Sequence, residues 1–416
     1  MLRPMDYAST NAVLRGAAAT GMRTRSAFRA LHAALACMLL ALFTIAARPR
    51  IRADLIVFPA ALTMLVGLHG FAGMMREAYP INHFLLVTVG ALIVFVAAQS
   101  RGGPFADTIA VVTFVFCLLS VESGILILVV AVSAWIAGWR GVSRRALAVM
   151  LGIVAAYLAW RIGYLHIRGA SVGDHSSGFG NTMLSPGDEV ARFGAHPAGF
   201  FLYNVLSAIS SVLFSEPRDG VYALIGIHET PAGLALPPPS IFIEIASSVA
   251  ATALLVWAVV RWRAGTLTDP QAFGRVLFLA GAVIAASGAI SYSYNKDEII
   301  STAGIFYVLA VAAALREALL AAGRAQGARV VFATCALTFI SAIWGWRAIG
   351  FEYKMLRSAA FARTEWARVL PGAPDSRPML EPRDYDLARE LKTEAGAPPV
   401  VDYQQLPRWM ERYWGE

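Results

Sequence analysis

FCLLSVESGILI, from Phe116 to Ile127, places a single carboxylate, Glu122, between two apolar runs. A helical membrane crossing takes about twenty residues. The whole apolar stretch from Asp107 to Ala137 is therefore too long for one crossing and short for two. A tight helical hairpin satisfies the pattern, with Glu122 at its turn near one membrane face. In hydrocarbon the same charge costs about 2.5–3.5 kcal/mol or more. Reading Glu122 as a turn residue decides the fold class: an all-α, polytopic transmembrane bundle. A carboxylate held at that depth is a functional candidate; the plainer role is that of a turn residue facing headgroups.

Composition agrees. The 416 residues are 57% hydrophobic and 15% charged, with a mean hydropathy of +0.59. Too little polar surface remains to cover a water-soluble protein of this size. The formal net charge of +8 does not point to nucleic acid, because the arginines fall in short loops between apolar runs, where they orient a chain in a membrane. Cys37, Cys117 and Cys335 stand alone in apolar runs, without the spacing of a disulfide framework or a zinc site. Arginine far outnumbers lysine and alanine is abundant, a bias expected of a high-GC bacterium. The expected location is the bacterial cytoplasmic (inner) membrane.

Working outward from the hairpin, residues 1–27 are a polar, arginine-bearing segment without the short apolar core and small-residue cleavage site of a signal peptide. Residues 28–165 form the first half of the bundle, with spans near 28–47, 55–75 and 81–98, the hairpin, and a span near 146–165. Residues 166–240 read as a long loop, whose one apolar run, Ala198 to Phe214, suits a re-entrant or interfacial helix. Residues 241–346 carry spans near 241–260, 276–292, 299–315 and 330–346, and 347–416 are a mixed-charge tail with short helices. About ten crossings result. Basic residues in short loops stay on the cytoplasmic side. RPRIR at 48–52, WRGVSRR at 139–145, the 261–275 loop and the 316–329 loop all fall on one face, which makes the N-terminus, long loop and tail extracytoplasmic.

That topology gathers His69, Arg76, Glu77, Glu122, Arg161, His166 and the stretch from Tyr292 to Glu298 on the outer face. Arg161, at the outer end of a span, can snorkel to headgroups or grip a phosphate in bidentate fashion. Lys296 lies between tyrosines and carboxylates in SYSYNKDEII, where a point charge can neutralise a phosphate leaving group or merely cap the next helix. His69 sits among glycines that permit close helix packing. No GxSxG, HExxH or Walker loop occurs, which removes motif support for a soluble-type hydrolase, a zincin or an NTPase.

The order of these features resembles the polytopic GT-C glycosyltransferases, especially the protein O-mannosyltransferase-like and TPR-associated transmembrane branch. RPMDYASTNAVLRG at 3–16 stands before a His-containing span, FRALHAALACMLLALF. GLHGFAGMMREAYP resembles the family's histidine-and-glutamate segment with Glu77 displaced, and LLSVES resembles its hairpin motif with Val121 where lysine is usual. YLAWRIGYL resembles the arginine-bearing helix end before an external loop. SYNKDEIISTAGIFYVLAVA resembles the basic, tyrosine-rich motif before a late span. The likeness covers residues 3 to about 350 through short, degenerate motifs. Family members begin with a further span and an external acidic loop, so an upstream span is expected here; the family branch's TPR array is also missing.

The resemblance implies transfer of a sugar from a polyprenyl-phosphate donor to a glycan, lipid or protein acceptor among membrane lipids, by displacement at the anomeric carbon. Glu77, Glu122 and Asp6 are the candidate catalytic acids, Arg161 and Lys296 the candidate donor-phosphate ligands, and His69, Arg76 and Tyr294 further candidates. A divalent cation is compatible with this chemistry, although no ligand set encodes one. Two other classes stay open. One is an O-antigen polymerase or ligase relying on Arg168, Arg192 and His196 in the long loop; the other is a transporter or scaffold that binds a lipid-linked glycan without chemistry.

Overall fold

The computed structural model describes residues 4–49, 51–76, 81–167, 198–214, 239–292, 298–324 and 328–369. Among them every regular element is helical: α1 (Pro4–Thr20), α2 (Thr24–Ala47), α3 (Asp54–Gly67), α4 (His69–Arg76), α5 (His83–Gln99), α6 (Pro104–Ser120), α7 (Leu126–Ile136), α8 (Arg144–Ile167), α9 (Ala198–Phe214), α10 (Pro239–Arg263), α11 (Pro270–Ile290), α12 (Ser301–Ala322) and α13 (Ala328–Val369). Among the described residues four stretches, Thr24–Ala47, Phe242–Arg263, Pro270–Ile290 and Ser301–Ala322, are long and apolar enough to cross a membrane. Shorter apolar helices accompany them, and a 17-residue one such as α5 or α6 reaches about 25 Å, against about 30 Å of hydrocarbon.

The centre is built from α5 and α12. Every residue of α12 from Ser301 to Ala312 is buried. Its small residues, Ala303, Gly304 and Ala310 among them, let neighbouring backbones approach closely, which is how helices pack where lipid removes the usual hydrophobic drive. Thr88 of α5 bonds Thr302 at 2.9 Å and Ser301 at 3.4 Å, so each hydroxyl removed from water finds a partner. Around this pair lie α2, α3, α6, α7, α10, α11 and α13. Leu55, Phe105, Val112, Leu202, Val260 and Phe339 stay exposed on the outer faces, as apolar side chains do where the solvent is hydrocarbon.

The stretch around Glu122 folds as a tight turn. α6 ends at Ser120, Val121 is extended, and Glu122–Ile125 form one 3-10 turn that leads directly into α7. Within the N-terminal segment Pro4–Thr20 form α1, which packs on α2 and α6. Two expectations are corrected. The span at 55–75 is interrupted: Leu68 leaves helical geometry (φ −70°, ψ 140°) and separates α3 from α4. The boundary at 346 falls inside α13, whose apolar half continues without a break into the polar half as far as Val369, because nothing between Trp346 and Val369 is glycine-rich or proline-bearing enough to end a helix.

Candidate functional site

The bundle has two chemically different ends. At one, the arginine-bearing connections meet. Arg48 donates to the Gln99 carbonyl, and Gln99 Nε2 donates to the Ala46 carbonyl at 3.3 Å. The amide of Gly141 donates to the Ala98 carbonyl at 2.8 Å, and that of Ser143 to Asp107 Oδ1 at 2.8 Å. Arg316 Nε binds the buried Asp54 at 2.6 Å. Glu317, also buried, accepts the amides of Thr268 at 2.6 Å and Asp269 at 3.0 Å. Arg140 and Arg144 stack over Trp135, at 3.8 and 4.9 Å from its ring centre. The carboxylates of Asp54, Asp107 and Glu317 all hold structure together here.

At the opposite end the polar groups are less fully matched. Asp6, in the first turn of α1, faces His83, the first residue of α5, with Oδ1 3.6 Å from Nδ1. That is too long for a direct hydrogen bond. Oδ1 is nevertheless shut away from solvent, and no described residue donates to it. The imidazole is 11% exposed and the carboxylate 26%. The carboxylate is therefore partly buried, with one oxygen unmatched beside an imidazole.

Local structure fixes His83. Asn82 caps α5 by accepting the Leu85 amide at 3.0 Å, and its Nδ2 donates to the Gly73 carbonyl of α4 at 3.3 Å. Gly73 in turn carries the side chain of Glu298: a Cβ on Gly73 would stand 2.5 Å from Glu298 Cγ. Only glycine lets α4 come this close. Glu298 is buried and lies three residues before α12. A chain of contacts thus runs from α1 through α5 and α4 to Glu298, just ahead of α12. His32 of α2 lies against the backbone of Met75. Glu122 belongs to the same end, since Cys117, a little over one turn before it, packs on Gly90 and donates to the Leu86 carbonyl at 3.8 Å.

A second polar group lies deeper at this end. Arg347, 2% exposed, reaches from α13 into α10, where Nη1 donates to the Glu244 carbonyl (3.2 Å), Ser247 Oγ (3.0 Å) and Ser248 Oγ (2.8 Å). Its guanidinium lies over Trp344, 4.6 Å from the ring centre. Among the described residues, Nε and Nη2 receive no acceptor. The charge of buried Glu244 acts on it, and Tyr307, bonded to Thr252 at 2.8 Å, stands in the same field. An isolated buried guanidinium is costly, and the neighbouring carboxylate offsets part of that cost.

Of the residues singled out from sequence, Asp6 and Glu122 are placed at one end of the bundle. His69 and Arg76 belong to α4 and Arg161 to α8, with side chains outside the described part. Glu77, Tyr294, Lys296, Arg168, Arg192 and His196 lie outside the described residues. His83, Glu244 and Arg347 were missed. Glu244 had a usable signal, a lone acid near the start of an apolar run, PSIFIEIASS; Arg347 read as the polar boundary of a span. Among the described residues no three His, Cys, Asp or Glu side chains gather to hold a metal ion. No family model matches the chain, and no curated protein or solved structure does.

Proposed function

We propose that this chain is a membrane glycosyltransferase of the GT-C type, working at the end of the bundle that carries Asp6, His83, Glu122 and Glu298, on the extracytoplasmic side. The observation that supports this most is the unmatched Asp6 Oδ1 beside His83. In the reaction, the acceptor hydroxyl attacks the anomeric carbon as Asp6 removes its proton. The bond from that carbon to the phosphate oxygen breaks, and the polyprenyl phosphate leaves with the electron pair. His83 positions the carboxylate. Arg161 and Lys296 are the proposed phosphate partners, since a cation placed where charge develops lowers the barrier. Glu77 and Glu122 remain proposed acids.

A second reading has one observation behind it. Arg347 and Glu244 are ionisable groups buried between helices, and such groups mark binding sites or pathways in membrane proteins. They favour a carrier or scaffold for a lipid-linked glycan. The two readings part in one assay: transfer from a labelled polyprenyl-phosphate sugar in membranes holding the full chain. The enzyme reading expects transfer by the wild type and its loss in Asp6→Asn at unchanged donor binding. Donor binding without transfer in the wild type sides with the carrier.

A further inference from the structure

α10 and α13 touch where Arg347 meets Glu244, Ser247 and Ser248, and part towards the arginine-rich end. Between them, over α12, opens a cavity of about 520 Å³, within the usual range of small-molecule sites. Its floor is Ala318, Ala321 and Ala322 of α12, and its walls include Leu254 and Trp257 of α10 and Leu337 and Ile340 of α13. Small floor residues and large wall residues leave an apolar slot. Its mouth is cationic. Arg261 is stacked towards Trp257, 5.7 Å from the ring centre, and donates to the Thr266 carbonyl at 3.4 Å, while its buried Nε meets no acceptor among the described residues. Arg324 bonds Thr268 Oγ1 and the Leu320 carbonyl, and stays exposed. Glu317 also lines the cavity, but its two oxygens are taken up by the amides of Thr268 and Asp269.

An apolar slot beneath two guanidinium groups, with a tryptophan at the boundary, matches one kind of molecule: an acyl chain attached to an anionic head. Basic pockets between membrane helices hold acidic lipid headgroups in this way, and tryptophan favours the interface. We propose that the groove between α10, α12 and α13 binds an anionic phospholipid, with its phosphate at Arg261 and Arg324 and one acyl chain along Trp257 and Leu337. This site is separate from the one proposed for sugar transfer and stands without it. The lipid fills the gap left where α10 and α13 diverge and so fixes the angle between them.

The test uses the purified full chain in a neutral detergent, with binding followed by native mass spectrometry and by the shift in melting temperature. The probes are phosphatidylglycerol, phosphatidylcholine and inorganic phosphate. Phosphatidylglycerol is expected to bind and raise the melting temperature, and the other two to do neither. Arg261→Gln with Arg324→Gln should weaken phosphatidylglycerol binding about thirtyfold, from the usual contribution of two basic residues to anionic-lipid binding. Leu337→Trp, which fills the slot and keeps both arginines, should abolish it. Should the double variant fail to fold, each single substitution and Leu337→Trp carry the test. Equal binding of phosphatidylcholine overturns the proposal, as does equal protection by inorganic phosphate, or phosphatidylglycerol binding that survives both the arginine substitutions and Leu337→Trp.

Discussion

The two ends of this helical bundle use the same side-chain types for different purposes. At the arginine-rich end Asp54, Asp107 and Glu317 each receive a guanidinium or backbone amide at 2.6–3.0 Å. At the other, Asp6 keeps an oxygen without a donor and Arg347 keeps two nitrogens without an acceptor. Buried polar groups in folded proteins are nearly always matched. Unmatched groups are not confined to one end, since Gln99 Oε1 and Arg261 Nε also lack a partner among the described residues, but the carboxylates Asp54, Asp107 and Glu317 are engaged at the arginine-rich end where Asp6 at the other keeps an oxygen unmatched.

The largest expected effect comes from Asp6→Asn. It keeps the shape and removes the proposed base, so transfer should fall by about 10²–10⁴ while the melting temperature stays put. Arg316→Ala should do the reverse. It takes from Asp54, 4% exposed at its side chain, the guanidinium that pairs it, a change that costs about 3 kcal/mol, yet the surviving folded molecules should transfer sugar at the wild-type rate. An equal loss of stability in both variants, read by thermal unfolding, erases the distinction between the ends.

Gly141→Ala sharpens it. A Cβ there would stand 2.1 Å from the Ala97 carbonyl and 2.7 Å from that of Ala98, so two connections must move apart, at about 1–3 kcal/mol. The loss should appear in the melting temperature and leave the KM for the donor unchanged. The smallest effect is that of Thr88→Val in the middle of the bundle. It removes a shared bond with Thr302, worth about 0.5–1.5 kcal/mol, and should alter neither kcat nor KM.

Much of the fold was legible because its signals are local. The turn at Glu122 follows from a charge between two apolar runs, and the grouping of loops at one end follows from where RPRIR and WRGVSRR fall. The break at Leu68 was not legible. It depends on how α3 and α4 pack against α13 and on the partner that Gly73 finds in Glu298, which no pattern within 55–75 contains. The continuation of α13 was hidden for a related reason: charge marks where a helix leaves hydrocarbon, not where it ends. The pairing of Asp6 with His83 joins two helix starts that are remote in sequence, and Arg347 looked like a boundary residue because its serine partners on α10 are far along the chain. The groups that distinguish the two ends are long-range ones, so sequence located candidate acids without their partners.

Sidedness is the most direct measurement. With Cys37, Cys117 and Cys335 replaced by alanine, single cysteines at Ala19 and Ala264, both exposed, report the two ends to a membrane-impermeant maleimide on intact cells and on inverted vesicles. Ala19→Cys is expected to be labelled on intact cells and protected in inverted vesicles, with Ala264→Cys showing the opposite pattern. Labelling of both positions from the same side would contradict the proposed sidedness.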